Sequence, residues 1–91
     1  MAIVKKKCHP DYFELLMKGR KKFEFRVADF DIEEGDTLIL QEWDPKSKKY
    51  TGRSIIKNVG YVVKFTLDDI DKKYGQKELL EKHGFYILQL D

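Results

Sequence analysis

Apolar residues recur along this chain with two periods. In the stretch PDYFELLMKG, residues 10–19, Tyr12, Phe13, Leu16 and Met17 return at helical spacing. Pro10 suits the first helical position, Asp11 favours the positive end of the helix dipole, and Gly19 supplies a left-handed residue after the end. The pattern predicts a short helix with one apolar face. Elsewhere the period is two. Residues 3–7 read as a first strand. In KKFEFRV, residues 21–27, Lys21, Phe23, Phe25 and Val27 alternate with Lys22, Glu24 and Arg26, predicting a strand with its phenylalanines inward and Glu24 and Arg26 together on the other face. An acidic loop closed by the turn Gly35-Asp36 leads to a strand in TLILQEW, residues 37–43. A long polar connection over residues 44–52 then feeds a strand over 53–65, bent or bulged near Gly60.

Past Phe65 the pattern is helical again. Thr66 is placed to cap a helix with Asp68 and Asp69 in its first turn, and Gly75 and Gly84 punctuate two short helices, the second over 76–83. Residues 85–90, FYILQL, predict a closing strand. The order strand, helix, three strands, short helices, strand in 91 residues predicts one α+β, mainly β domain over residues 1–91. A curled antiparallel-rich sheet or small barrel fits that order better than a doubly wound parallel sheet.

Composition narrows the function classes. No apolar run approaches the roughly 20 residues that cross a bilayer, which predicts a domain without a membrane partner. The opening MAIVKKKCHP has too short an apolar stretch for a secretion signal, and its lysines follow that stretch, so a cytoplasmic location is expected. Cys8 is the single cysteine and the histidines number two, so no zinc spacing exists and no disulfide can form within the chain. Cys8 beside His9 suggests a nucleophile, but neighbouring strand residues face opposite sides; a small buried thiol is the expectation. His83 reads as a helix-end residue. DFDIEEGD lacks the spacing of a helical calcium loop, phosphate-loop and dinucleotide glycine patterns are absent, and Ser47 and Ser54 have no evident base. No metal and no cofactor is therefore expected.

The net charge of +2 conceals segregation. Residues 1–27 carry net +5, residues 28–45 carry seven acids and no Lys or Arg, and residues 46–64 carry six Lys or Arg and no acid. Such blocks either pair across a sheet or present a basic surface to an anionic partner. KGRKKFEFR, residues 18–26, concentrates the question. Its Glu24 and Arg26 form either a solvated pair contributing about 0–1 kcal/mol or, with Lys21, an anion site in which a lysine beside a carboxylate serves as base or donor.

Gly19, Lys21, Glu24 and Arg26 fit the pattern G-x-K-x-x-E-x-R, which resembles the signature of ASCH domains, small members of the PUA-like superfamily. The order HPDYFELLMKGRKKFEFR, EEGDTLILQEWDPKSKKYTGRSI, VGYVV and GFYILQL is similar over nearly the whole chain to the subset known as DUF3850. It includes Gly35-Asp36, Glu42 and residues 50–53. The resemblance implies a PUA-like pseudo-barrel of about five or six strands with short helices packed at its side. It also implies a cleft that binds RNA or modified nucleosides, lined by Lys21, Glu24 and Arg26 with Lys7 as neighbour. After the arginine, related sequences continue Asn-Asp-Arg where this chain has Ala28, Asp29 and Phe30. One ASCH branch hydrolyses acetylated cytidine with a lysine, a threonine and a glutamate. Lys21 matches the lysine, Glu24 occupies the threonine's place, and Glu78 and Glu81 are candidates for the glutamate.

Three functions follow as expectations. The first is an RNA- or nucleotide-binding module in which Lys21, Arg26, Lys7 and the basic residues 46–53, Arg53 included, meet phosphates while Tyr12, Trp43 or Tyr50 stacks on a base. The second is a small amidohydrolase or ribonuclease with Lys21 and Glu24 as its catalytic pair and Arg26 stabilising the anion. The third is a protein-interaction or regulatory domain in which Glu24 and Arg26 pair with each other or with Asp36 and Glu42.

Overall fold

The computed structural model describes residues 1–75 and 77–91. Strand β1 (Ile3–Cys8) is followed by helix α1 (Pro10–Met17), strands β2 (Thr37–Asp44) and β3 (Lys49–Asn58), and helices α2 (Leu67–Tyr74) and α3 (Lys77–His83). The three strands form an open mixed sheet in the order β1-β2-β3, with β1 parallel to β2 and β3 antiparallel to it. The protein is thus a small α+β fold.

β2 organises the sheet because its alternation is the cleanest. Asp36, Leu38, Leu40 and Glu42 are buried on one face while Ile39, Gln41 and Trp43 take the other. Register places Val4 beside Leu38, Cys8 beside Glu42, and Ile55 beside Leu40. Helix α1 lies on that face and inserts Phe13 and Leu16, fully or almost fully buried, against Cys8, Leu38 and Leu40. Its other expected apolar residues, Tyr12 and Met17, are half exposed. Chain entry into β2 is fixed by Gly35, whose φ of 94° suits a residue without a Cβ, and by Asp36, whose carboxylate accepts from the backbone N–H of Ala2 at 2.9 Å and of Glu33 at 2.8 Å. Those two N–H donors hold the Asp36 carboxyl below its usual range, against the opposing effect of burial.

Four expectations need correction. Residues 21–27 are not a strand: they run beside the free edge of β1 but meet it through the Arg26 side chain, not a backbone ladder. Their alternation is also inverted, with Lys21, Glu24 and Arg26 half buried and Phe23, Phe25 and Val27 exposed. The connection after β2 is shorter than expected, a turn over 45–48 with Lys48 at φ 56°, and β3 already begins at Lys49. The irregularity in the ladder lies at Gln41/Trp43, not near Gly60, and β3 ends at Asn58. Its partner β2 begins at Thr37; the last bonds there are Val59 N–H to the Asp36 carbonyl and Gly35 N–H to the Val59 carbonyl, so residues 60–65 have no strand to pair with. Residues 85–90 form no strand and instead touch residues 21–27 through side chains. The Lys22 N–H donates to Gln89 Oε1 at 2.5 Å, and Phe25 meets Phe85 edge-on with centroids 6.3 Å apart.

Thr66 caps α2 as expected, in a capping box with Asp69, and Gly75 at φ 63° ends it. Of the second short helix, Gln76 lies outside the described residues. Among the described residues no helix is long and apolar enough to cross a membrane. The radius of gyration, 15.4 Å, exceeds the about 12 Å of a tightly packed chain of this length. Apolar side chains of residues 61–65 and 85–90 are accordingly left exposed, and grooves open beside the sheet.

Candidate functional site

The free edge of β1 positions the first cluster. Arg26 donates from Nη2 to the Lys7 carbonyl at 2.7 Å, fastening residues 21–27 alongside that edge. From there Arg26 Nε reaches Glu24 Oε2 at 2.8 Å, and Lys21 Nζ reaches Glu24 Oε1 at 3.1 Å. One carboxylate therefore holds two cations, with the three side chains 15% to 27% exposed. A regular strand would put residues 21 and 24 on opposite faces. The irregular backbone is what lets Lys21 join Glu24, and it corrects the expected sharing of one strand face by Lys21, Phe23 and Phe25. Lys21 also lies 5.1 Å and 5.0 Å from the ring centres of Tyr12 and Phe23, within cation–π range.

This trio borders a groove of about 540 Å³ that Tyr12, Phe25, Phe85 and Ile87 also line. Among the described residues Arg26 Nη1 has no acceptor, and Lys21 has N–H donors beyond the one Glu24 takes. The cluster carries net positive charge and spare donors beside aromatic walls, which suits an oxygen-rich anion or a carbonyl edge attached to an apolar or planar group. Cys8 lines the same groove. Burial, then Glu24, pushes its thiol above the ordinary value, while Arg26 and Lys21 oppose the rise. It is a buried thiol of the core, as expected.

A second cluster stands on the covered face of the sheet. Glu42, in phase with Leu38 and Leu40, is 3% exposed. Arg53 grips it with Nε to Oε1 at 2.9 Å and Nη2 to Oε2 at 2.8 Å, Thr51 donates its hydroxyl to Oε1 at 2.5 Å, and Arg53 Nη2 also reaches Glu14 Oε1 at 2.7 Å. The guanidinium carbon lies 4.9 Å from the Phe13 ring centre. The Arg53 bonds, then that of Thr51, hold the Glu42 carboxyl below its ordinary range despite burial, and the same pairing raises Arg53. The cluster joins α1 to β2 and β3.

The third group lies on the opposite face. Trp43 and Tyr50 are cross-strand partners packed edge-on, centroids 4.9 Å apart at 75°. Lys7 Nζ sits 3.8 Å from the Trp43 ring centre and 5.8 Å from that of Tyr50.

The structure thus brings together Lys21, Glu24, Arg26 and Tyr12, with Lys7 contributing its carbonyl. The Lys7 ammonium, Trp43 and Tyr50 form a separate patch, and Arg53 belongs to the Glu42 cluster, its guanidinium committed to two carboxylates. Glu78 and Glu81 are exposed on α3 and form no ion pair with Lys21. Neither Asp36 nor Glu42 pairs with Glu24 or Arg26: Asp36 takes backbone N–H groups and Glu42 takes Arg53. Phe30 lies under Lys6 Nζ at 3.7 Å. Among the described residues no group of three or more His, Cys, Asp or Glu is placed to hold a metal ion. The burial of Glu42, its pairing with Arg53, and the Phe85 and Ile87 wall were missed from sequence. Glu42 had a signal, since a carboxylate in phase with buried leucines requires a partner.

A family model for a domain of unknown function, DUF3850, matches residues 3–76. The chain belongs to the DUF3850 family. The match takes in all three strands, α1, α2 and both charged clusters, whereas residues 77–91, with Phe85 and Ile87, lie beyond it. A curated relative, the uncharacterized 12.9 kDa protein in the GpA 3′ region of Escherichia phage P2, is 47% identical over 49 residues. That segment is 54% of this DUF3850 chain and 43% of the phage protein, so the likeness spans less than half of the relative's length. No solved structure matches the chain.

Proposed function

We propose that this DUF3850 chain is an RNA- or nucleotide-binding module of the ASCH and PUA-like kind, working in the cytoplasm. The observation that carries this reading is the Lys21-Glu24-Arg26 cluster at the mouth of an aromatic-walled groove. Glu24 fixes two cations so that their spare N–H donors meet a phosphate or a base carbonyl, while Tyr12 and Phe85 offer ring faces to an unstacked base. The Lys7-Trp43-Tyr50 patch and the lysines of residues 46–49 would extend the contact along a single strand. In the same reading a PUA-like pseudo-barrel of about five or six strands would close through residues 21–27 and 85–90, which are not strands here but meet through Phe25 and Phe85.

Titrating short single-stranded RNA against Trp43 fluorescence at several salt concentrations tests the proposal. Binding that weakens steeply with salt, and weakens again in Arg26→Ala, is expected. Absence of binding at low salt refutes it.

One observation favours a second reading, a small amidohydrolase or ribonuclease: Lys21 lies within hydrogen-bond reach of Glu24 and is 15% exposed. Lys21 with Glu24 as proton carrier and Arg26 as anion stabiliser would act on the amide of a modified base or on an RNA phosphodiester. Incubation with acetylated cytidine and with RNA, beside a Lys21→Ala control, decides it. Turnover in the native chain that the control lacks supports hydrolysis; equal or absent turnover in both ends this reading.

A further inference from the structure

The covered face of the sheet carries a second groove, about 550 Å³, with Leu38 and Leu40 among its lining. Leu16, Leu38 and Leu40 are buried behind it, Ile32, Val59 and Val62 supply its open apolar surface, and Lys22, Lys57 and Lys64 add charge beside the Lys21-Glu24-Arg26 cluster at its border. These lysines stand on three separate segments: the turn after α1, the end of β3, and the stretch before α2. Among the described residues none of their ammonium groups has an ion-pair partner. Of the acids in the lining, Glu24 is already engaged by Lys21 and Arg26, which leaves Asp31.

We propose that this groove is a docking site for an acidic amphipathic peptide segment of a partner protein. Apolar side chains of the peptide seat on Ile32, Val59 and Val62, and its carboxylates meet Lys22, Lys57 and Lys64. An apolar floor ringed by separately mounted, unpaired cations is complementary to a ligand that carries several acids around an apolar stripe. An amphiphile with one carboxylate satisfies one lysine and leaves the others. A nucleic acid would meet the lysines, but of the three rings in the lining Phe30 and Phe23 already lie under Lys6 and Lys21, which leaves Tyr61 for stacking. A second copy is disfavoured as occupant. Its acidic stretch over 29–36 has Ile32 packed on its own core, and its β3 edge repeats Lys49, Arg53 and Lys57. Lys21, Glu24 and Arg26 border both grooves, but the inference does not rest on RNA binding, because Lys57 and Lys64 line this groove and not the one beside Tyr12.

Fluorescence anisotropy with a labelled synthetic peptide of about 14 residues, roughly four helical turns, tests it. The probe carries Leu at helical spacing and Glu between; one control has Lys for Glu, another Ser for Leu. The full chain is expected to bind the Leu/Glu probe best, more weakly as salt rises. Lys57→Glu/Lys64→Glu, at two exposed positions, should lower that affinity by about tenfold or more and raise affinity for the Leu/Lys control. Lys57→Gln/Lys64→Gln should fall between. Equal binding of either control, no loss in the charge-reversed variant, displacement of the probe by short RNA whose own binding the same variant abolishes, or self-association of the chain that the variant abolishes would each overturn the proposal.

Discussion

Replacing Glu24 with Gln keeps the size of the side chain and removes the charge on which Lys21 and Arg26 converge. Both contacts are charge-assisted hydrogen bonds, at 3.1 Å and 2.8 Å, between side chains 15%, 21% and 27% exposed. Fully buried bonds of this type contribute about 1.5–3 kcal/mol and exposed ion pairs about 0–1 kcal/mol, so about 1 kcal/mol per contact is appropriate here. Gln retains one acceptor and turns a donor toward the other cation, which makes the expected loss about 1–2 kcal/mol. In a chain of this length about 1 kcal/mol moves Tm by about 4–8 °C, so Glu24→Gln should melt about 4–15 °C lower. Circular dichroism melts at low and high salt measure it, with a cycle through Arg26→Gln and the double variant. The cycle should return a coupling of about 1 kcal/mol. A Tm drop under about 2 °C with zero coupling would refute the idea that Glu24 fixes the two cations.

Other expectations follow from burial and charge. Leu40→Ala, at a side chain 1% exposed, should cost about 2–5 kcal/mol in urea unfolding, whereas Ile56→Ala, 68% exposed, should stay within about 0.5 kcal/mol; similar costs at both would mean the core is misplaced. Asp36 and Glu42 have folded pKa values below their unfolded ones. Their stabilisation is present above the ordinary carboxylate range near pH 4 and is lost as pH falls through the lowered folded values. Stability measured from pH 7 to pH 3 should therefore fall, and fall less in Arg53→Gln, which removes the largest cause of the Glu42 shift; identical slopes would contradict the pairing. Cys8, buried and with its thiol pushed upward, should react with a disulfide reagent in denaturant and hardly at all in the native chain at pH 8. Rapid native labelling would show the core open at β1.

The elements that sequence revealed are those whose local signals agree with their packing. Helix α1 had Pro10, an apolar face and Gly19; β2 had strict alternation; α2 had the Thr66 cap. Residues 21–27 show the limit. Period two correctly grouped Glu24 with Arg26, but periodicity says which residues share a face and not which face is covered, and here the charged face is the half-buried one. The link between Lys21 and Glu24 was expected from the motif and not from periodicity, since it needs an irregular backbone that no spacing rule announces. Residues 60–65 and 85–90 have strand-like composition, yet a strand needs an edge to pair with, and where β2 begins is a tertiary fact. Arg53 was visible as a cation and not as the partner of Glu42, because the bond crosses between neighbouring strands and onto α1.

The most direct test of the proposed site is a residue-resolved one. In a two-dimensional amide spectrum of the labelled chain titrated with short single-stranded RNA, the resonances of Tyr12, Lys21, Glu24, Arg26 and Phe85 should shift together and saturably, and Glu24→Gln should change the response at each. Shifts confined to Lys57, Lys64 and their neighbours, or no saturable shift at all, would contradict a nucleic-acid site built on Lys21, Glu24 and Arg26.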